Sequence, residues 1–94
     1  MVHVIASQKV REGKLVKVEV ECDGFIKKIK ITGDFFLHPE DVLETIEKSI
    51  LGLGKDAGTE EIASRIHEIA EANDVQMIGI SPESLALVIR EALK

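Results

Sequence analysis

The chain alternates in its first third and then changes period. From Leu15 to Cys22, the residues Val16, Val18, Val20 and Cys22 share one side while Lys17, Glu19 and Glu21 take the other. A period of two predicts a β-strand with one buried face. Residues 2–9 predict an earlier strand, closed by the turn signal Arg11-Glu12-Gly13. Asp23-Gly24 predicts a two-residue hairpin turn, because both central positions of such a turn need positive φ. Folding there pairs Cys22 with Phe25, Val18 with Ile29 and Val16 with Ile31 on the inner face, and Glu19 with Lys28 on the outer. Lys27 is the inner-face misfit, a lysine near the hairpin tip whose stem lets the ammonium reach water.

Past Gly33 the apolar spacing becomes helical. His38-Pro39-Glu40-Asp41 predicts a helix start with Pro39 as its first residue and acids in the first turn. Val42, Leu43, Ile46 and Ile50 form its apolar stripe, and Gly52 ends it. Residues 52–58 hold three glycines and predict a loop. Thr59 is the expected cap of a second helix with Ile62, Ala63, Ile66, Ile69 and Ala70 inward, stopped by Asn73-Asp74. Residues 75–80 read as a short apolar connection or a short fourth strand. Ser81-Pro82-Glu83 opens a last helix with Leu85, Val88, Ile89 and Leu93 inward. The expected fold is α+β, a single domain over 1–94: an antiparallel three-stranded sheet with about three helices packed on one face.

Composition narrows the function classes. A domain of 94 residues buries roughly 60–65% of the surface its unfolded chain exposes, which leaves little for a deep private active site. A net charge of −5 disfavours a nucleic-acid partner, whose phosphates need Lys and Arg, and the lack of Trp and Tyr removes the usual base-stacking surfaces. One cysteine, Cys22, excludes an internal disulfide and a multi-cysteine metal site. The start Met1-Val2-His3-Val4-Ile5 lacks the pattern of a signal peptide. No apolar stretch approaches the roughly 18–20 residues of a membrane span. A cytoplasmic chain with no membrane partner is expected.

Most candidate chemistry has a plainer reading. Gly52-Leu53-Gly54-Lys55 lacks the spacing of a phosphate-binding loop, carries Asp56 where a magnesium-ligating hydroxyl belongs, and follows a helix. It reads as a connector. His3, His38 and His67 show no metal-ligand spacing, so no metal site is expected; His38 reads as a helix-start residue and His67 as a boundary residue. Cys22, on the apolar strand face, reads as a small buried hydrophobe. Glu40, Asp41, Glu44 and Glu47 read as a solvated helix face, with Lys48 the i,i+4 partner of Glu44. No catalytic residue emerges.

Gly33-Asp34-Phe35-Phe36 is what remains. Two of the three phenylalanines stand side by side at a strand end. Gly33 allows a sharp bend, and Asp34 can accept a nearby backbone N–H. In extended chain the two rings project to opposite sides, so one anchors the core while the other faces outward. An outward Phe on a small acidic domain reads as a partner contact.

The run Lys9 … Gly13-Lys14-Leu15-Val16-Lys17-Val18-Glu19-Val20, followed by Ile29-Lys30-Ile31-Thr32-Gly33-Asp34-Phe35-Phe36, resembles the C-terminal accessory domain of lipoate–protein ligases. The helix ending in Leu51-Gly52 and the segment Ile78-Gly79-Ile80-Ser81-Pro82-Glu83-Ser84-Leu85 fit it too, so the likeness covers nearly the whole chain. In most such enzymes the module follows a large catalytic domain. This chain begins at the module's first strand, so the expectation is a stand-alone small subunit of a two-chain ligase, in a heterodimer with the large catalytic chain. The resemblance implies that the large chain, holding ATP, magnesium and lipoate, forms lipoyl-adenylate and transfers the lipoyl group to a lysine of acyl-carrier domains. These acceptor domains would meet this chain only indirectly, and no cofactor is expected on it alone. Gly33, Asp34, Phe35 and Phe36 carry over as motif positions for partner contact, with Lys14 a weaker one. The family is similar in fold to sulfur-acceptor and iron–sulfur scaffold proteins. That leaves a sulfur or iron–sulfur carrier acting through Cys22 as the alternative, although such proteins depend on cysteines this sequence lacks.

Overall fold

A computed structural model describes residues 2–93. Its elements run β1 (Val2–Lys9), β2 (Leu15–Cys22), β3 (Ile26–Gly33), β4 (Phe36–His38), α1 (Val42–Ile50), α2 (Thr59–Ala72), β5 (Gln76–Ile78) and α3 (Pro82–Ala92). The α+β class holds. β1, β2 and β3 form an antiparallel sheet in that order, and the short strand expected within 75–80 is β5. It pairs antiparallel with β4, an element absent from the sequence reading, in a separate two-stranded sheet. Val16, Val18 and Val20 of β2 are buried, as are Ile26 and Ile31 of β3. Both α1 and α3 pack on the sheet, and α2 packs on those two helices.

The hairpin register differs from the expected one. Cys22 pairs with Ile26, Val20 with Ile29, Val18 with Ile31 and Val16 with Gly33, while Glu21 faces Lys28 and Glu19 faces Lys30. The cause lies at the tip. Asp23 N–H donates to the Phe25 carbonyl, and Phe25 leaves the hairpin to bridge Gly54. A bulge beside Glu21 and Cys22 then leaves Lys27 without a partner. A bulge ejects one residue from the ladder, so the misfit lysine is expelled from the inner face and Ile26 takes its place. Lys27 instead lies 3.4 Å from Asp23 and over the Phe25 ring.

The first two helices start elsewhere than expected. His38 ends β4, and Pro39-Glu40-Asp41 form a turn in which the N–H groups of Val42 and Leu43 donate to the carbonyls of Pro39 and Glu40. Pro39 is therefore outside the helix, and Asp41 is the N-cap of α1. In α2 the cap is Gly58, whose extended backbone offers its carbonyl to Ile62 N–H, and Thr59 is the first helical residue. Ser81 caps α3 as expected: its hydroxyl accepts from Ser84 N–H, and the Ser84 hydroxyl accepts from Ser81 N–H. The apolar stripes of all three helices fall inward, with Ile46, Ile50, Ile62, Ile66, Leu85, Val88 and Ile89 fully buried. His67 is exposed on α2, 2.9 Å from Glu71, not at a core boundary.

Candidate partner-binding site

The motif Gly33-Asp34-Phe35-Phe36 occupies the junction between the two sheets. Gly33 ends β3 opposite Val16, and Asp34 N–H donates to the Leu15 carbonyl at 3.0 Å. That carbonyl lies so close to Gly33 that a Cβ there would collide with it and press on the Phe35 ring. Glycine is required by this close approach. The motif residue Asp34 is exposed, and its backbone, not its side chain, makes the junction bond.

The two rings part at this point. Phe35 is half-buried and packs against the core cluster. Phe36 opens β4 and is 67% exposed, directly across the small sheet from Ile78, which is 50% exposed. Leu37, next in the strand, is buried opposite Met77. The alternation of a three-residue strand thus anchors Leu37 inward and turns Phe36 outward. A shallow groove of about 190 Å³ lies between Phe35, Phe36, Leu37, Glu40 and Leu43.

Lys14 reaches the same region by a different route. Its stem crosses Gly79, where a Cβ would stand 2.7 Å from Lys14 Cγ, and Gly79 has φ +82°, a region that favours glycine. The preceding turn residue, Glu12, carries its carboxylate within electrostatic reach of the Ser81 and Ser84 hydroxyls at the start of α3. Slight burial raises the Glu12 carboxyl, but its own backbone N–H, the two serines and Arg11 outweigh that and hold it below its ordinary range. The turn after β1 thus lies beside Ile78-Gly79, with the Lys14 stem against Gly79. The structure brings Gly33, Phe35 and Phe36 together, and it places Lys14 at Gly79, next in sequence to Ile78.

Sequence reasoning missed Ile78 as an exposed neighbour of Phe36, and Glu40 and Leu43 as walls of the groove. The available signal was the short run Met77-Ile78-Gly79-Ile80, too apolar for a plain connection. Cys22 lies elsewhere, buried on β2, and burial pushes its thiol up despite the opposing charge of Lys55. Among the described residues no group of three His, Cys, Asp or Glu is placed to hold a metal ion, and no helix is long and apolar enough to cross a membrane.

A family model described as the bacterial lipoate protein ligase C-terminus matches residues 5–89. The "Lipoate-protein ligase A subunit 2" of Thermoplasma acidophilum is 31% identical over 83 residues, which span 87% of this chain and 82% of that protein. Among solved structures, a chain from an archaeal lipoylation system aligns with a TM-score of 0.71 and 29% identity. That system, also from Thermoplasma acidophilum, is a bi-partite lipoate protein ligase with its E2 lipoyl domain. The alignment covers 99% of this chain and 98% of that one.

Proposed function

This chain belongs to the lipoate protein ligase C-terminal family, and we propose that it is the non-catalytic small subunit of a two-chain lipoate–protein ligase. The carrying observation is the near-complete mutual coverage: 98% of a chain from a bi-partite ligase and 82% of a protein named subunit 2 are spanned. The relatives are thus of this chain's own size, not large catalytic enzymes.

On this reading ATP, magnesium and lipoate sit on the large chain in the cytoplasm. The lipoate carboxylate attacks the α-phosphorus of ATP and pyrophosphate leaves. A lysine amine of an acyl-carrier domain then attacks the acyl carbon, and AMP leaves. The small chain contributes by binding. It shifts the large chain toward an activation-competent closed state to the extent that it binds that state more tightly than the open one. Closure also keeps water from the reactive mixed anhydride. Phe36 and Ile78 offer the exposed apolar contact for this, since such a pair on an acidic surface gains most when a partner covers it.

Lipoylation of an acceptor domain by the purified large chain, with and without this protein, tests the reading. Modification should depend on the small chain; equal rates in both reactions would sink the proposal. The sulfur-carrier alternative finds less support, since the Cys22 thiol is buried and held protonated.

A further inference from the structure

The two edges of the main sheet are treated differently by the chain. The β3 edge is closed from within. Ile26 N–H donates to the Leu53 carbonyl at 2.8 Å, and its carbonyl accepts from Gly52 N–H at 2.9 Å. Further along, Ile31 N–H donates to Glu47 Oε2 at 2.8 Å. Lys27, Lys28 and Lys30 with the bulge complete a protected edge of the kind that discourages strand pairing.

β1 has no such closing bonds and no bulge, and its one lysine, Lys9, stands at its end. It runs eight residues without Pro, Gly or a bulge against β2. Among the described residues, none of its groups makes a hydrogen bond beyond its pairing with β2. In an antiparallel pair, alternate residues turn their N–H and C=O away from the partner strand, so an edge strand presents a row of open groups. The side chains are also unfinished. Ile5 on the outer face is 53% exposed, and Val2 on the inner face is 59% exposed. Val2 and Val4 also line one side of a cavity of about 330 Å³, whose other walls are Cys22, Ala92 and Leu93 with the polar Asp23 and Lys55 at the hairpin tip.

The geometry points to β1 as the site where an edge strand of the large catalytic chain adds to this sheet. This rests on the two-subunit reading above. The charges specify the occupant. Lys9 ends β1, with Arg11 in the turn beyond, whereas Lys17, opposite Ser7 on the same outer face, is already paired with Glu19 at 3.6 Å, and Glu19 and Glu21 lie opposite Ile5 and His3. The incoming strand therefore carries a carboxylate at its Lys9 end and alternating apolar residues over Ile5, Val4 and Val2. A second copy of this chain cannot supply that match: β1 contains no carboxylate, and each copy carries a net charge of −5.

Residue-resolved amide exchange on the full chain, free and saturated with the large chain, tests this. The expected result is slowing by about tenfold or more at alternate amides of residues 2–8, those not already bonded to β2. Ile5→Lys should weaken the complex about tenfold while the free chain stays folded, and Ile5→Val should restore it. A saturated complex with those alternate amides unchanged overturns strand addition and leaves the subunit reading intact. Failure of any complex to form overturns both. Concentration-dependent slowing at the same amides in the free chain assigns the edge to a second copy, and overturns the proposal as well.

Discussion

Truncation of Phe36 to alanine separates the domain's own stability from its binding. In the free chain the ring is 67% exposed and its main neighbour is Ile78 across the small sheet. Losing such a cross-strand pair costs roughly 0.2–1 kcal/mol, so the denaturation midpoint should move little. In the complex the account differs. An aromatic ring buries about 200 Å² when covered, and two-thirds of that, near 130 Å², is still available here. At about 25 cal/mol per Å² this is worth ~3 kcal/mol. Ordering the ring and the methyl left behind reduce it to about 2–3 kcal/mol, the range of an interface anchor. The affinity for the large chain, measured by calorimetry, should therefore fall roughly 30- to 150-fold. Phe35→Ala should do the opposite, costing about 3 kcal/mol of fold stability because its ring packs on the core. An affinity within about threefold of the parent, in a Phe36→Ala chain shown to be folded, would refute the assignment of this face to the partner.

Gly33→Ala should destabilise the chain by about 2–3 kcal/mol in urea, because its Cβ meets the Leu15 carbonyl. Gly13→Ala has open space and should cost only the strain of its φ of +90°, about 1 kcal/mol; equal losses would contradict the steric argument. Ser81→Ala removes the cap of α3 and should cost about 1 kcal/mol. It also removes a hydroxyl within electrostatic reach of Glu12. Since the folded state holds Glu12 below its ordinary 4.5, that group's stabilisation is present above this value and is lost as pH falls through the folded one. The Ser81→Ala chain should show less acid sensitivity in that window, and an unchanged pH profile of unfolding would count against the contact. Cys22→Ser should lower thermal stability while full lipoylation support remains once the chain is folded. Loss of that support at intact fold would favour the carrier alternative.

The sequence disclosed elements more faithfully than joints. The inward stripes were legible because burial follows period, and Val16, Val18 and Val20 or Ile62 and Ile66 admit little else. The hairpin register was not legible. Asp23-Gly24 signals a tight turn, but the tie of Phe25 to Gly54 is a long-range bond that local chemistry does not announce. Beyond the bulge it displaces the pairing by two residues, which keeps those side chains on their faces; only at the tip, where Ile26 comes opposite Cys22 and Lys27 is left unpaired, does the inner-face pattern change. β4 stayed hidden for a related reason. Phe36-Leu37-His38 is too short to show a period, and only its partner β5 makes it a strand. At the site, the outward and inward turns of Phe36 and Phe35 follow from extended geometry. Ile78 is found there only because the small sheet brings it across from Phe36.

Pyrophosphate release by the purified large chain, given ATP, magnesium and lipoate and titrated with this protein, bears most directly on the central claim. The account predicts a rate that rises with added small chain and saturates, with formation of lipoyl-adenylate rising in parallel. A large chain that releases pyrophosphate and forms the adenylate at its full rate alone, unchanged by any amount of this protein, would contradict it.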